Sequence, residues 1–453
     1  MRAAWQRALL PRLLLALSIA CLSVACTESR PRPRNLVLIS LDTMAPAHMS
    51  LYGHERDTTP TLRQLAASGV VFSNAYATSP WTLPSHASML SGRYPTSLSP
   101  DPTDRRLYAG APLLAELFAQ QGYRTAAVTG GGFVSAEHGA DRGFESFRER
   151  AGVPAVLHWI EEHATEPFFF FFHTYKAHTP YNDRRFARGL EAGRLAGLYG
   201  RGPKAKRRRL HHMVVGGTPK LDQAEQEYVR SLYDGGIARA DELVAEILEG
   251  LERLGLADST AVVVTSDHGE EFWQHTKRGA SHGHTLHDEL LRIPMVWYEP
   301  ALGRAGSVVD DPVSLIDIVP TVAARFDLDT PSGLDGEDLS PLIDNGTWQV
   351  DRYLVAEGAR NGKQKTAVMG KQGKLIEVEN PNHNGGRPRH RLYFPDDPEE
   401  TRDRARDAPR RTEELLDALA THRADATDAA PAAEIPELSE QARKRLRELG
   451  YVE

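Results

Sequence analysis

The segment Asn35-Leu-Val-Leu-Ile-Ser-Leu41 is a continuous apolar run, and Asp42 follows it directly. A run of this length is typical of a β-strand that is buried on both faces of its sheet. Further runs of this kind lie at Thr125–Thr129, Pro167–Phe172, Thr260–Thr265 and Pro294–Trp297. Helical patterns lie between or beside them, at Thr61–Gly69, Ala111–Gly122, Val153–His163 and Gln223–Leu254. Alternating strands and helices predict an α/β/α sandwich with a large, mostly parallel sheet, whose ligands bind beyond the carboxyl ends of the strands.

The pattern changes past about residue 350, to short strand-like pieces and then charged helices. We predict a large domain over 35–345, a small C-terminal α+β subdomain over 350–400, and charged helices over 401–453. An Ala/Pro/Asp-rich linker at 424–436 precedes the last of these helices. Residues 184–212 hold ten Lys or Arg residues and one acid. We interpret them as a surface insertion, which is either a solvated loop or an anion-attracting rim or membrane-surface patch.

The overall composition limits the classes of partner and of chemistry. Lys and Arg number 54 and Asp and Glu 61, which gives a net charge of −7. Because nucleic-acid-binding domains are usually basic, we expect no nucleic-acid partner. The two cysteines, Cys21 and Cys26, both lie near the N-terminus. The body of the protein therefore has neither a disulfide nor a thiolate metal site.

Residues 1–26 are typical of a bacterial lipoprotein signal peptide. Arginines surround the apolar run Leu13–Ala25, which is too short for a comfortable transmembrane helix and ends in small residues before Cys26. We expect lipidation of Cys26 and a location in the bacterial cell envelope, either anchored to a membrane or periplasmic. Plain secretion and an uncleaved anchor helix are the alternatives.

A polar cluster precedes a helical start in the segment Ser79-Pro-Trp-Thr-Leu-Pro-Ser-His-Ala-Ser-Met-Leu-Ser-Gly-Arg93. A nucleophile at the amino end of a helix benefits from the positive end of the helix dipole and from free backbone N–H groups. Thr82 is placed for that role. Taken alone, however, a threonine at such a position is more often only a cap.

Asp42 and the segment Ser266-Asp-His-Gly-Glu270 each follow an apolar strand. Two carboxylates, an imidazole and the Thr82 hydroxyl at one edge of a sheet can form a site for a divalent ion such as Mn, Mg or Zn. A bound ion would lower the pKa of the hydroxyl and activate it. The alternative is that Asp267 and His268 only cap a loop.

Read together, these segments resemble the sulfatase family, within the alkaline phosphatase superfamily, over about residues 35–400. The ending Leu446-Arg-Glu-Leu-Gly-Tyr451 also resembles bacterial members of the family. The other matching stretches are Leu38–Asp42, Ser50–Gly53, Thr82–Ser85 through Arg93, Ser266–Glu270, Asp288–Pro294, Asp317–Thr321 and Leu392–Glu399.

The resemblance implies a metal centre and a nucleophile. Asp42, Asp267 and His268 would bind one divalent ion (Mn, Mg, Zn or Ca), and Thr82 would be the nucleophile that touches the same ion. His86 stands where sulfatases carry an arginine that supports the nucleophile.

The resemblance also implies a set of basic residues around the substrate. His178 corresponds to the substrate-side histidine of the family and is a candidate general acid for the leaving oxygen. His173 and Lys176 are candidates for holding the anion, with a strand-end histidine and a solvated lysine as the alternatives. His282 and His284 fall near a basic substrate contact of the family, and the sequence does not decide which of them fills it.

Three positions depart from the sulfatase pattern. At the position of Thr82, sulfatases carry a cysteine or serine that is converted to formylglycine. Threonine cannot give that aldehyde because its methyl group remains on Cβ, so the formylglycine mechanism is excluded. Thr43 replaces the second Asp of the usual pair, and His268 replaces an Asn. Asp, Thr, Asp and His around one metal resemble the phosphoethanolamine and phosphoglycerol transferases and the phosphodiesterases of the superfamily.

We therefore predict a metal-dependent hydrolase that acts through Thr82 on a sulfate or phosphate ester. Its substrate would be an anionic glycan, lipid or small molecule. A phosphoethanolamine- or phosphoglycerol-type transferase or a phosphodiesterase is the alternative reaction. A protein that has lost catalysis and binds anionic glycans or lipids at the envelope is the alternative of another class, although a binding module need not keep metal ligands.

Overall fold

The structure is a computed structural model, and it describes residues 32–99, 101, 107–109, 111–198, 204–217, 220–275, 279–300, 302–348, 352–360, 362–379, 386–425 and 439–449. The predicted signal peptide with Cys26 lies outside the described residues, as does most of the linker at 424–436.

In chain order the strands are β1 (Asn35–Leu41), β2 (Val70–Tyr76), β3 (Arg124–Thr129), β4 (Ser146–Glu149), β5 (Phe168–Thr174), β6 (Thr260–Thr265), β7 (Arg292–Tyr298), β8 (Ser307–Val309), β9 (Val313–Ser314), β10 (Leu354–Glu357), β11 (Lys365–Gly370), β12 (Gly373–Val378) and β13 (Arg389–Tyr393). Five of the strands, β1, β3, β5, β6 and β7, match the predicted apolar runs to within a few residues.

The helices are α1 (Pro60–Ser68), α2 (Thr82–Ser91), α3 (Pro95–Leu98), α4 (Leu114–Gln120), α5 (Val153–Glu162), α6 (Lys204–Val214), α7 (Gln223–Arg253), α8 (Asp288–Leu291), α9 (Ile318–Phe326), α10 (Ser340–Asn345), α11 (Pro409–Asp425) and α12 (Glu440–Glu448). Four of the helices, α1, α4, α5 and α7, likewise match the predicted helical patterns. Short 3-10 turns lie at Pro46–His48, Ser50–Tyr52, Leu107–Ala109, Ala136–His138, Gly193–Leu195, Ala257–Ser259 and Leu315–Asp317. Within the described residues, no helix combines the length and the apolar character that crossing a membrane requires.

Strand β1 occupies the middle of the large sheet, whose order is β4-β3-β5-β1-β6-β7-β2-β8, with β9 also paired to β2. Its neighbours β5 and β6 both run parallel to it, with Leu38 beside Phe171 on one side and Val263 on the other. Strand β7 is antiparallel to β6 and to β2. The predicted large, mostly parallel α/β sheet is confirmed.

Alternate residues of β1 belong to the two opposite layers of the sandwich. Leu36 and Leu38 pack with the apolar residues of α2, α4 and α9, whereas Val37 and Ile39 pack with those of α1, α5 and α7. Every residue of β1 is buried. This explains why the strand is a continuous apolar run rather than an alternating one.

A second sheet, of the order β10-β11-β12-β13, is antiparallel throughout. Helix α11 packs on it through Leu415 and Leu419, which contact the cluster of Val368, Leu375 and Leu392. The predicted small C-terminal α+β unit is confirmed as part of the fold. The domain boundaries at 345, 350 and 400 remain predictions.

The basic insertion at 184–212 is not a solvated loop throughout, because it leads into helix α6. The apolar side of this helix is buried through Leu210, Met213 and Val214, whose spacing of three and four residues is that of one helix face. Earlier in the insertion, Arg185 pairs with Asp183, so part of its charge is used within the fold.

Candidate active site

The side chains predicted for catalysis gather at one edge of the large sheet. Because β1 and β6 are parallel neighbours, Asp42 after β1 and Asp267 after β6 leave the sheet side by side. His173, near the end of β5, is the register partner of Ser40 in β1. Thr82 is the first residue of α2. All of these side chains are buried.

Asp42, Asp267 and His268 form a compact group, whose potential ligand atoms lie within 4.8 Å of one another. His268 Nδ1 donates to the carbonyl of Gly269 at 2.8 Å, which leaves Nε2 as an unprotonated ligand atom 3.3 Å from Asp267 Oδ2. Asp42 Oδ1 and Asp267 Oδ2 have no hydrogen-bond partner among the described residues, although both side chains are fully buried. Buried acceptors without a partner are rare, so this donor set fits a divalent ion.

Among the described residues, the basic side chains beside this group are all histidines. In the part of the chain that the structure describes, no lysine or arginine bonds Asp42 or Asp267. Burial, and after it the neighbouring Asp267, raises the pKa of Asp42 well above its ordinary value. Burial opposes the change at Asp267, but His268 and His86 hold its pKa below the ordinary value. A cation between the two carboxylates would relieve this repulsion.

Two further groups bring histidine and carboxylate side chains together: His48, His54 and Asp234, and His275, His287 and Glu400. In each, a basic side chain already neutralises the carboxylate. Arg56 Nη1 lies 2.5 Å from Asp234 Oδ2, and Lys374 Nζ lies 2.6 Å from Glu400 Oε1. The charge balance therefore favours the Asp42 group as the site of a metal ion.

Thr82 projects its hydroxyl at this group. Its Oγ1 lies 3.4 Å from Asp42 Oδ2, to which it donates, and 3.3 Å from His268 Nε2. The preceding Trp81 is extended, so the helix begins abruptly at Thr82. The first N–H groups of a helix have no acceptor within it, and they favour negative charge at this point.

His86 supports the start of α2 from one turn further along. Its Nδ1 donates to the Thr82 carbonyl at 3.0 Å and lies 3.4 Å from Asp267 Oδ2, while Nε2 lies 2.9 Å from Ser40 Oγ. Burial lowers the pKa of His86, which favours the neutral imidazole. The structure thus places His86 next to Thr82, the predicted nucleophile.

His173 lies on the other side of Asp42. The backbone N–H of Gly130 donates to its Nδ1 at 3.2 Å, so Nε2 carries the proton and faces Asp42 Oδ2 at 3.3 Å. Burial lowers the pKa of His173 well below its ordinary value. Rather than being only a strand-end residue, His173 is held in one tautomer against a predicted metal ligand.

His178 and His282 extend the group of imidazoles. The ring of His282 lies 4.5 Å from that of His268 and 5.0 Å from that of His178, measured between centroids. His282 Nδ1 lies 3.0 Å from Glu270 Oε1. Burial raises the pKa of Glu270 to about 7.

The structure separates His284 and Lys176 from this group. His284 Nε2 lies 3.0 Å from Glu271 Oε2 and its Nδ1 lies near Ser281, so both nitrogens face other partners. Of the two histidines that the sequence left open, His282 is therefore the one beside His268. Lys176 is exposed, in contrast to the buried imidazoles.

Several residues of the site were missed in the sequence. Ser40 and Gly130 have no signal of their own, whereas Glu270 belongs to the quoted Ser266–Glu270 segment. Thr43 has a positive φ of 63°, and its backbone N–H donates to Asp267 Oδ1 at 3.2 Å. Arg360 lies over the ring of Trp81, 5.8 Å from its centroid.

The sulfatase family model matches residues 34–158 and 153–328. The chain belongs to the sulfatase family. An ulvan-active sulfatase of Formosa agariphila is 26% identical over 354 residues, which are 72% of this chain and 68% of that protein. The human N-acetylgalactosamine-6-sulfatase is 27% identical over 352 residues, 70% of this chain and 67% of that protein. This sulfatase-family protein is accordingly a sulfuric or phosphoric ester hydrolase.

Solved structures share the fold of this sulfatase-family chain. One, in complex with its substrate D-glucosamine-2-N,6-O-disulfate, has a TM-score of 0.67 at 18% identity and covers 89% of this chain and 100% of its own. The phosphonate monoester hydrolase of Agrobacterium radiobacter has a TM-score of 0.66 at 20% identity and covers 90% of this chain and 99% of its own. The resemblance to the sulfatase family and the expected fold are confirmed.

Proposed function

We propose that the protein hydrolyses sulfate or phosphate esters through Thr82, with one divalent ion (Mn, Mg, Zn or Ca) held by Asp42, Asp267 and His268. The observation that carries this proposal is a buried carboxylate pair that no lysine or arginine of the described residues bonds, beside the Thr82 hydroxyl at 3.4 Å. A bound ion would neutralise the carboxylates and lower the pKa of the hydroxyl.

Thr82 would attack the sulfur or phosphorus atom of the ester. Its hydroxyl donates toward Asp42, which leaves an oxygen lone pair for the attack. The amino end of α2 favours the negative charge that develops on the ester oxygens. His86 holds the Thr82 carbonyl and so fixes the first turn on which the nucleophile stands.

His178 would protonate the leaving oxygen as a general acid, and His282 lies beside it. His178 Nδ1 donates to the Thr179 carbonyl at 2.6 Å, so Nε2 is the nitrogen that would take up and release a second proton. Burial and the neighbouring His282 lower the pKa of His178 to about 3. A bound anion would raise this pKa, since negative charge favours the imidazolium. Proton delivery would then depend on the presence of substrate.

The same residues would serve a phosphoethanolamine- or phosphoglycerol-type transferase or a phosphodiesterase. An ester on Thr82 has no geminal hydroxyl, so it must be displaced by a second nucleophile at sulfur or phosphorus. Water as that nucleophile gives hydrolysis, and an alcohol gives transfer. The departures at Thr82, Thr43 and His268 support phosphorus chemistry, whereas family membership supports sulfate esters.

We further propose an anionic ester substrate on a glycan, lipid or small molecule, and an exported protein anchored to a membrane through Cys26. The ulvan-active relative and the structure bound to a glucosamine disulfate support a sulfated glycan. The location rests on the signal-like residues 1–26. Mass spectrometry of the N-terminal peptide would contradict the anchor by finding Cys26 unmodified.

The activity is tested with the purified protein loaded with Mn, Mg, Zn or Ca, on p-nitrophenyl sulfate, p-nitrophenyl phosphate and bis-p-nitrophenyl phosphate. Thr82→Ala should abolish turnover. Ser88→Ala is the matched control, because Ser88 is buried in the same helix and its hydroxyl bonds no described residue. Turnover that survives in Thr82→Ala would refute the nucleophile, and a metal-free, folded, inactive protein would favour the non-catalytic binder.

A further inference from the structure

Helix α12 packs against the loop that follows β3. Leu446 is fully buried in the core of the large sheet, and Leu449 is almost so. Arg445 Nε donates to the carbonyl of Gly130 at 3.1 Å. The approach is close at Gly132, where an added Cβ would lie 2.8 Å from a methyl of Leu449. The last described helix is thus fitted to a glycine loop beside the site.

A short chain of contacts leads from this helix to the proposed metal ligand. Arg445 holds the carbonyl of Gly130, the N–H of Gly130 donates to His173 Nδ1 at 3.2 Å, and His173 Nε2 faces Asp42 Oδ2 at 3.3 Å. The guanidinium of Arg445 also lies 5.5 Å from the ring centroid of Tyr175, whose hydroxyl donates to the next carbonyl of the loop at 3.1 Å.

The loop needs such external contacts because its own backbone is permissive. Three consecutive glycines, 130–132, form it, and two of them have positive φ, 71° at Gly131 and 69° at Gly132. Glycine loses more conformational freedom on ordering than any other residue. A donor that fixes Gly130 therefore fixes the N–H that sets the tautomer and ring orientation of His173.

We propose that α12 is part of the active-site scaffold and that Arg445 is a positioning residue for His173 and Asp42. The inference rests on the proposed function, since it takes Asp42 as a metal ligand. Mutation of a residue that hydrogen-bonds a metal ligand typically weakens metal affinity about 10- to 100-fold. Arg445 acts two residues further out than His173, through Gly130, so we expect its loss to weaken the affinity by a smaller factor, about 3- to 10-fold.

The test uses the full protein, with Mn²⁺ titrated calorimetrically into metal-free samples. Arg445→Met keeps the aliphatic part of the side chain and removes its hydrogen-bond donors. It should raise the Kd for Mn²⁺ about 3- to 10-fold. Arg445→Lys keeps a cationic donor and should recover part of the affinity. Arg447→Met is the matched control, because Arg447 lies on the same helix and pairs with Glu440 near its beginning.

A second variant reaches the same loop from the other side. Tyr175→Phe removes the hydroxyl bond to Gly131 and should also weaken Mn²⁺ binding, with faster deuterium exchange in the peptide around Gly130 in both variants. Unchanged Mn²⁺ affinity in both variants would overturn the inference, even if either lowers the melting temperature. If Asp42→Asn binds Mn²⁺ as tightly as the wild type does, the proposed metal site itself is wrong, which is a different result from failure of the Arg445 inference.

Discussion

Replacing Asp42 by asparagine should have opposite effects on stability with and without a metal ion. The asparagine has the same shape, and its carbonyl oxygen can still accept from the Thr82 hydroxyl. The substitution removes one of two buried carboxylates that no lysine or arginine in the described residues bonds. In the metal-free protein this should stabilise the fold, and in the metal-loaded protein it should remove a ligand.

The size of the effect follows from the separation of the two carboxylates. Two unit charges 4.8 Å apart, the outer limit for this group, repel by about 3.5 kcal/mol at an effective dielectric constant of about 20. Asp42 escapes part of this cost by taking up a proton, because burial and Asp267 raise its pKa. We therefore expect Asp42→Asn to stabilise the metal-free protein by about 1 to 3 kcal/mol.

The assay is denaturant unfolding in EDTA and again with saturating Mn²⁺. For a chain of this length, 1 kcal/mol corresponds to roughly 1 °C in melting temperature, so chemical unfolding gives the clearer signal. An ion at 1,000 times its Kd adds about 4.1 kcal/mol to the stability of the wild type. It should add nothing to Asp42→Asn, so the order of stability reverses.

The matched control is Asp241→Asn, a buried aspartate whose two oxygens accept from the N–H groups of Thr61 and Leu62, each at 2.9 Å. An amide has only one acceptor oxygen, so this variant should be destabilised with or without metal. If metal-free Asp42→Asn loses stability as the control does, the two carboxylates do not repel, and the reasoning from charge balance is wrong.

Three further substitutions test the fold around the site. Gly279→Ala should destabilise by about 1 to 3 kcal/mol in urea unfolding, because its Cβ would lie only 1.6 Å from the carbonyl oxygen of Val214. Lys374→Met should lower the free energy of unfolding by about 3 to 5 kcal/mol in the same assay, since it removes the ammonium group that bonds the buried carboxylate of Glu400 and the partly buried one of Asp288. Glu225→Gln should destabilise the protein at pH 7, because the ionised carboxylate bonds Arg194, which lowers the pKa of Glu225 to about 2. This carboxylate stabilises the fold only while it is ionised. The difference in unfolding free energy from the wild type should therefore shrink as the pH falls from about 4.5 towards 2.

Each of these substitutions has a control elsewhere in the chain. Gly152→Ala adds a methyl that meets only Pro154, at 3.4 Å. Lys371→Met removes a half-exposed lysine, and Glu252→Gln changes an exposed carboxylate. Losses as large in the controls as in the test variants, or a Glu225→Gln effect that does not depend on pH, would count against the stated causes.

Five strands of the large sheet, β1, β3, β5, β6 and β7, could be predicted because a strand that is buried on both faces is a continuous apolar run. The other four strands that the structure describes in this sheet were not predicted. The direction of β7 could not be predicted either, since a buried antiparallel strand carries the same residues as a buried parallel one. Helix α6 was not predicted, for another reason. Its many Lys and Arg residues dominate the composition, and only the spacing of Leu210, Met213 and Val214 indicates a buried face.

The candidate site was predictable where a residue follows a strand or begins a helix, as for Asp42, Asp267 and Thr82. The choice between His282 and His284 was not, because they lie two residues apart in one loop and only their partners distinguish them. The charge balance of the histidine–carboxylate clusters could not be predicted from the sequence either. The cations that neutralise the other two clusters, Arg56 and Lys374, come from segments that the sequence gives no reason to pair with those carboxylates.

The position of β1 at the centre of the sheet has a kinetic consequence. Amide protons of such a fully buried strand exchange with solvent only when the whole domain opens, whereas those of surface loops exchange through small local fluctuations. Ser40 lies in that strand, and Asp42 directly follows it. The geometry around Thr82 should therefore persist as long as the domain itself, and on heating, inactivation and global unfolding should share one rate constant.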